Sequence, residues 1–125
     1  MKKILSIFAF VLLAFVLVSC GKGASAGSVE IKIYNFEAEE VFNDEVKFSE
    51  EDTLEDLLKE HKKIQMKGET SSMGFYITDL AGVSSKNHDS TFWNIKVNGE
   101  DSMLGISMIK LVDGDVIEFH LISYL

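Results

Sequence analysis

Cysteine and histidine, the side chains most specific for nucleophilic and metal chemistry, are few in this chain, and they are far apart. There is one cysteine, Cys20, and three histidines, His61, His88 and His120. The histidine spacings match no zinc-ligand pattern, in which ligands come in close pairs. The one Gly-x-Ser-x-Gly match, Gly23-Ala24-Ser25-Ala26-Gly27, lies in a small-residue stretch shortly after an apolar run rather than between a strand and a helix, so it does not read as a nucleophile elbow. Asp113 and Asp115 flank Gly114 and could ligate calcium only with donors from elsewhere, so Asp-Gly-Asp reads first as a turn. Glu50-Glu51-Asp52 reads as the solvated entrance of a helix rather than a cation site. With 20 acidic residues in the chain, carboxylate pairs carry no information. The expectation is therefore a non-enzyme with no catalytic residues, no metal ligands and no required cofactor. Aromatic and apolar side chains in strand-like settings remain as candidates for binding: Ser72, Met73, Gly74, Phe75, Tyr76 and Ile77, then Phe92, Trp93, Asn94 and Ile95.

Lys2 and Lys3 precede an apolar run from Ile4 to Val18 broken only by Ser6. A basic start and an apolar stretch of about 15 residues form a secretory signal, short for a permanent membrane span. The run ends Leu17-Val18-Ser19-Cys20, which resembles the lipobox of bacterial lipoproteins. That resemblance implies a signal peptide over residues 1–19, cleavage before Cys20 and a diacylglyceryl group on its thiol. The expected location is the cell membrane, on its extracytoplasmic face. A single cysteine forms no internal disulfide, so the domain must stand on its apolar core. The chain is acidic, with net charge −8, more so once Lys2 and Lys3 are removed. Such a surface repels nucleic acid and anionic headgroups alike, which leaves attachment to acyl chains worth about 0.8 kcal/mol per buried CH₂.

Residues 20–28 hold the lipidated cysteine and then Gly, Lys, Ala and Ser, the composition of a flexible tether. The domain proper is expected over 29–125. Val29 to Tyr34 alternates with period two, placing Val29, Ile31 and Ile33 inward. Glu37 to Asn43 reads as an acidic loop or a weak strand edge, followed by a short strand with Val46 and Phe48 on one face. Thr53 is a helix N-cap, with Asp56 three residues on. Leu54, Leu57, Leu58 and His61 share one helix face. Ile64–Glu69 and Phe75–Leu80 read as strands, Ser84–Ser90 as a polar loop and Thr91–Val97 as a strand. Asn98-Gly99 is the favoured type I′ hairpin pair, and Val116–Tyr124 is the last strand. The alternation puts Trp93, Ile95 and Val97 on one face and Phe92, Asn94 and Lys96 on the other, so Trp93 is a core candidate. The sum is an α+β plan. The run Lys110 to Phe119, centred on Asp-Gly-Asp, is characteristic of β-grasp domains. The ending Ser123-Tyr124-Leu125 lacks the Gly-Gly of the sulfur carriers with that fold.

From Ser72 to Tyr124 the order of motifs resembles the small C-terminal β-domain of the cobalamin carriers transcobalamin and intrinsic factor. It is also similar to the DUF4430-type domains of bacterial surface lipoproteins. The carriers have Ser-Trp-Gly, an apolar strand, a loop rich in asparagine, and an aromatic followed by Trp. Here these are Ser72-Met73-Gly74, Phe75–Leu80, Ser84–Ser90 and Phe92-Trp93, with Gly105 and Tyr124 near the end. The resemblance implies that Ser72–Ile77 and Trp93–Ser102 face a corrin ring, and that cobalamin or a related corrinoid is the candidate ligand, taken up through a transporter. Met73 stands where the family has its first Trp. No helical barrel fits in this chain, so a second binding subunit would have to supply the other half of the clamp. The rival expectation is a surface protein-interaction module with no small-molecule ligand.

Overall fold

The computed structural model describes residues 26–125. The apolar run, Cys20 and most of the expected tether lie outside the described residues. The chain forms β1 (Gly27–Tyr34), β2 (Glu40–Phe48), α1 (Leu54–Glu60), β3 (Lys67–Ser71), β4 (Gly74–Leu80), β5 (Val83–Ser84), β6 (Thr91–Val97), β7 (Glu100–Asp101) and β8 (Val116–Ser123), with 3₁₀ turns at Ser85–Asn87 and Ile106–Met108. One sheet has five strands in the order β2-β1-β8-β6-β7, and the other has three in the order β3-β4-β5. The first and last strands run parallel at the centre of the larger sheet, and each is flanked by an antiparallel neighbour. That is the β-grasp arrangement within an α+β fold, as the sequence predicts.

Period-two alternation builds the core. Val29, Ile31 and Ile33 of β1 and Ile117 and Phe119 of β8 are 0% exposed. Trp93 and Ile95 of β6 join them on the same face, and against these pack Leu54 and Leu58 of α1, Ile64, Met66, Ile77 and Leu80, and Ile106. The helix starts as expected, with Thr53 Oγ1 accepting the Asp56 N–H at 3.1 Å. Asn98 and Gly99 take positive φ of 52° and 84°, as a type I′ turn requires. Asn98 does more than turn the chain. Its Nδ2 donates to Asp115 Oδ1, and its Oδ1 accepts the Val116 N–H, both at 2.9 Å, so the hairpin also holds the start of β8.

Several details differ from the sequence reading, and five of them have a clear cause in hydrogen bonding or packing. β1 begins at Gly27 rather than Val29, because Asp113 Oδ1 accepts the Ser28 N–H and Ser28 C=O accepts the Gly114 N–H, both at 2.9 Å. β2 begins at Glu40, inside the expected loop, because Asn35 Oδ1 accepts the N–H groups of Glu37 and Glu39 and folds the chain back early. His61 is not on the helix face but caps its C-terminus in extended backbone. Its ring stands edge-on to Phe42 at 5.2 Å. Ile64 and Met66 are buried, yet the strand starts only at Lys67. The reason is that Ile64 and Gln65 N–H both donate to His61 C=O. The loop Ser84–Ser90 encloses a 3₁₀ turn capped by Ser84 Oγ.

Trp93 joins the two sheets. Its indole is 6% exposed, and Nε1–H donates to Thr78 C=O on β4 at 2.9 Å in a buried setting. Trp93→Phe keeps most of the bulk but leaves that carbonyl unpaired, which is expected to cost about 1–3 kcal/mol. Trp93→Ala adds a cavity and is expected to cost about 3–5 kcal/mol. Urea denaturation followed by circular dichroism checks both, and equal losses for the two variants would mean the hydrogen bond, not the ring, carries the effect.

Candidate functional site

The turn between β3 and β4 is the first of two segments that bring the binding candidates to the surface. Gly74 has φ +112°, a backbone conformation glycine adopts without the Cβ penalty. Ser71 Oγ accepts the Met73 N–H and donates to Gly74 C=O, both at 3.2 Å, which closes the two-residue turn. Nothing covers Met73, which is 97% exposed, and Tyr76 is 51% exposed.

The second segment follows β7. Ser102 N–H donates to Ile95 C=O at 2.8 Å, and Ser102 Oγ accepts the Leu104 N–H at 3.1 Å. Buried Ile106 then anchors the 3₁₀ turn, which leaves Met103, Leu104 and Met108 outside at 96%, 52% and 66% exposure. The two segments are neighbours, since a Cβ placed on Gly74 would lie 4.0 Å from Ser107 Oγ. They form one rim of exposed apolar side chains on a hydrogen-bonded frame. Beside it, Phe48, Met108, Ile109 and Leu111, with Glu50 and Asp52, line an open cleft of about 600 Å³.

Glu55 on α1 fastens this frame. Its Oε1 accepts the Ser107 hydroxyl and its Oε2 the Lys59 ammonium, both at 2.7 Å. The Lys59 Nζ also sits 4.3 Å from the centroid of the Phe75 ring. The hydrogen bond from Lys59, followed by that from Ser107, holds the Glu55 carboxyl below the usual range, against a smaller opposing effect of burial.

The remaining candidates point elsewhere. Phe92 and Asn94 lie on the outer face of the larger sheet, in register with Ile122 and His120 of β8. Phe92 packs near Tyr124, ring centroids 6.2 Å apart, and Asn94 donates to Asp101 Oδ1 at 3.0 Å. Across β8, Tyr34 and His120 stack at 4.4 Å with planes 9° apart. Burial, then Glu40 and Glu118, raises the Tyr34 hydroxyl pKa. His88 stacks on Phe36, also at 4.4 Å. Among the described residues no group of three or more His, Cys, Asp or Glu side chains could hold a metal ion, and no helix is long and apolar enough to cross a membrane.

The ten residues singled out by sequence thus separate into three groups. Ser72, Met73 and Gly74 lie in the rim's first turn, with Tyr76 exposed further along β4 and Phe75 half-buried under Lys59. Phe92 and Asn94 lie on the outer sheet face. Ile77, Trp93 and Ile95 are buried, which corrects their expected role, because period-two alternation turns them into the core and they present no side-chain surface to a ligand. Met103, Leu104 and Met108 were missed. The predicted ligand-facing segment stopped at Ser102, and three large apolar side chains around Gly105 were the signal beyond it.

Because the folded pKa of Glu55 lies below its unfolded value, its contribution is complete above the ordinary carboxylate range. It is lost as pH falls through the folded value. Acidification is expected to lower the urea midpoint less in Glu55→Gln than in the wild type. Parallel pH profiles for the two proteins would remove Glu55 as the fastening group.

Comparison with known proteins gives the fold a context. Residues 51–123 match the model of a domain of unknown function, DUF4430. Among solved structures the chain is similar to haptocorrin, determined in complex with Cbi, with a TM-score of 0.66 and 23% identity over 79% of this chain and 25% of that one. It is also similar to a protein of Ruminococcus gnavus ATCC 29149 described as a candidate metal-binding protein. There the TM-score is 0.62, with 18% identity over 76% of this chain and 95% of that one. The chain therefore spans about a quarter of the length of haptocorrin. At these identities the likeness is one of fold. No curated protein matches the sequence. The family model covers more than half of the sequence, and the chain belongs to the DUF4430 family.

Proposed function

We propose that this chain is an extracytoplasmic binding protein, anchored through a lipid on Cys20, whose apolar rim receives a corrinoid or a similarly bulky cofactor for uptake. The observation that carries the reading is the rim itself: Met73, Met103, Leu104 and Met108 stand exposed on neighbouring turns. Uncovered apolar side chains on a folded frame mark sites of association. Methionine is flexible and polarisable and adapts to the irregular faces of a puckered macrocycle. Ser72, beside Met73, offers a hydroxyl to peripheral amides, whereas those of Ser102 and Ser107 are engaged by Leu104 and Glu55. The fold is shared with a protein determined in complex with Cbi, which supports the ligand class.

Only a quarter of haptocorrin has a counterpart here, so this domain supplies one face of a site. A transporter or second subunit supplies the other. One face leaves much of the ligand in water, and the surplus over the cost of association is small. Saturable heats are expected in calorimetric titration with cobinamide or cobalamin. The double variant Met73→Ser, Met108→Ser is expected to weaken binding at least about tenfold, since the two exchanges together remove apolar contact area worth about 1.4 kcal/mol or more. Absence of binding at millimolar ligand would refute the stand-alone site. Retention of a membrane partner irrespective of corrinoid would favour a protein-interaction module. That alternative has its own support in Ile122 and Tyr124, exposed beside Phe92 on the outer sheet face.

The anchor has a separate test. Cys20→Ser is expected to shift the protein from the membrane fraction to the soluble fraction of the exporting cell, because the acidic body has no attraction to anionic lipid. Unchanged fractionation would point to anchoring by the uncleaved apolar run.

A further inference from the structure

We propose that the open cleft beside the rim is a second binding site, one that takes the headgroup of an ethanolamine phospholipid from the bilayer next to the domain. Its volume of about 600 Å³ falls among those of small-molecule sites, about 300–1,000 Å³. Phe48, Met108, Ile109 and Leu111 give it an apolar lining, and three charged side chains, Glu50, Asp52 and Lys110, line it as well. The hydroxyls of Thr53 and Ser107 also border it, but they are engaged by the Asp56 N–H and the Glu55 carboxylate. The charged groups are the strong polar handles that remain.

Those charges do not cancel one another. Among the described residues neither Glu50 nor Asp52 forms an ion pair with Lys110. Asp52 is fixed by the turn before α1, where its Oδ2 accepts the Ser49 N–H at 2.8 Å and its own N–H donates to Ser49 C=O at 3.1 Å. Carboxylates and an ammonium that stay apart around one cleft complement a ligand that is itself zwitterionic. A primary ammonium suits Glu50 and Asp52, and a phosphate suits Lys110. The apolar lining suits the glycerol and first acyl carbons beyond that phosphate. An anionic lipid lacks the ammonium, and a body of net charge −8 repels it.

The source of the headgroup follows from the chain, and this step rests on the anchored reading given above. Ala26 lines the cleft, and its N–H donates to Phe48 C=O at 2.8 Å. Cys20 precedes Ala26 by six residues, a length that spans at most about 22 Å when fully extended. The anchor therefore keeps the cleft close to the bilayer. One headgroup orients the domain rather than attaches it, and Met108, shared by cleft and rim, turns toward the bilayer with it.

Full-length protein carrying Cys20→Ser, which has no acyl groups of its own, is held in an uncharged maltoside detergent. It is titrated with dihexanoyl phosphatidylethanolamine, with the matching phosphatidylglycerol, and with phosphoethanolamine alone. The methyl resonances of Met108 and Ile109 are expected to shift saturably with the first, while that of buried Met66 stays in place. The other two probes should bind at least about tenfold more weakly. Lys110→Glu, and separately the pair Glu50→Gln and Asp52→Asn, should each weaken binding at least about tenfold through loss of a charge-assisted contact. No saturable shift in the parent protein, or an equal response to phosphatidylglycerol, overturns the proposal. So does equal affinity for bare phosphoethanolamine, or undiminished affinity in both charge variants. Corrinoid titration of the Lys110→Glu protein reports on the rim, and Cys20→Ser fractionation on the anchor, so failure of either reading is distinguishable from failure of this site.

Discussion

The indole of Trp93 is the point on which the arrangement turns. Its ring is buried between the two sheets, and its Nε1–H satisfies Thr78 C=O on β4. Burying an indole without a partner for that N–H would leave a costly unpaired donor. β4 must therefore lie where it does relative to β6. Two consequences follow directly. Phe92 and Asn94, one residue either side, are forced onto the outer face of the larger sheet. The start of β4 is carried to the edge, where Gly74 meets Ser107. The position of β4 is held from its other side by Gly68, where any Cβ would collide with Tyr76 O at 2.1 Å. Only glycine lets β3 close on β4 there.

That geometry makes the rim a composite of rigid and soft parts. Its frame is polar and local: Ser71 closes one turn, Ser102 the other, and Glu55 ties the second to α1. Its tips are thioether side chains with no packing partners. Freezing one such side chain on a ligand costs up to about 2 kcal/mol of rotamer entropy, where a pre-packed aromatic would lose less. Exposed methionines therefore offer an adaptable surface rather than a flat, ordered one.

Much of the fold was legible in the sequence, because its signals are local. Period-two alternation marked β1, β6 and β8; Thr53 and Asp56 marked the helix start; Asn98-Gly99 marked the hairpin. What escaped depends on partners distant in sequence. Gly27 and Ser28 look like tether by composition, and pairing with Phe48 and Lys47 of β2, together with the bonds of Ser28 to Asp113, 85 residues away, and to Gly114, draws them into β1. Ile64 and Met66 are core residues in irregular backbone, where apolar character reports burial but not strand. For the site, alternation already assigned Trp93 to the interior, against the role implied by family resemblance, and alternation was right. Met103, Leu104 and Met108 lie in turns, which have no period to read. Their exposure is set by Ile106 entering the core beneath them.

Ile106 also explains why the rim persists as a shape. A loop of exposed apolar residues ordinarily gains by collapsing onto nearby surface. Here the one side chain that could lead such a collapse is already buried, at 2% exposure. Ser107 is held by Glu55, and the backbone on each side is fixed by its own hydrogen bonds. Met103, Leu104 and Met108 are left projecting because the residues between them are committed elsewhere. Met73 projects for the corresponding reason, since Ser71 and Gly74 occupy the turn's hydrogen-bonding capacity. The exposed rim is thus the residue of constraints satisfied beneath it, and a ligand that covers it gains apolar contact without having to undo any of them.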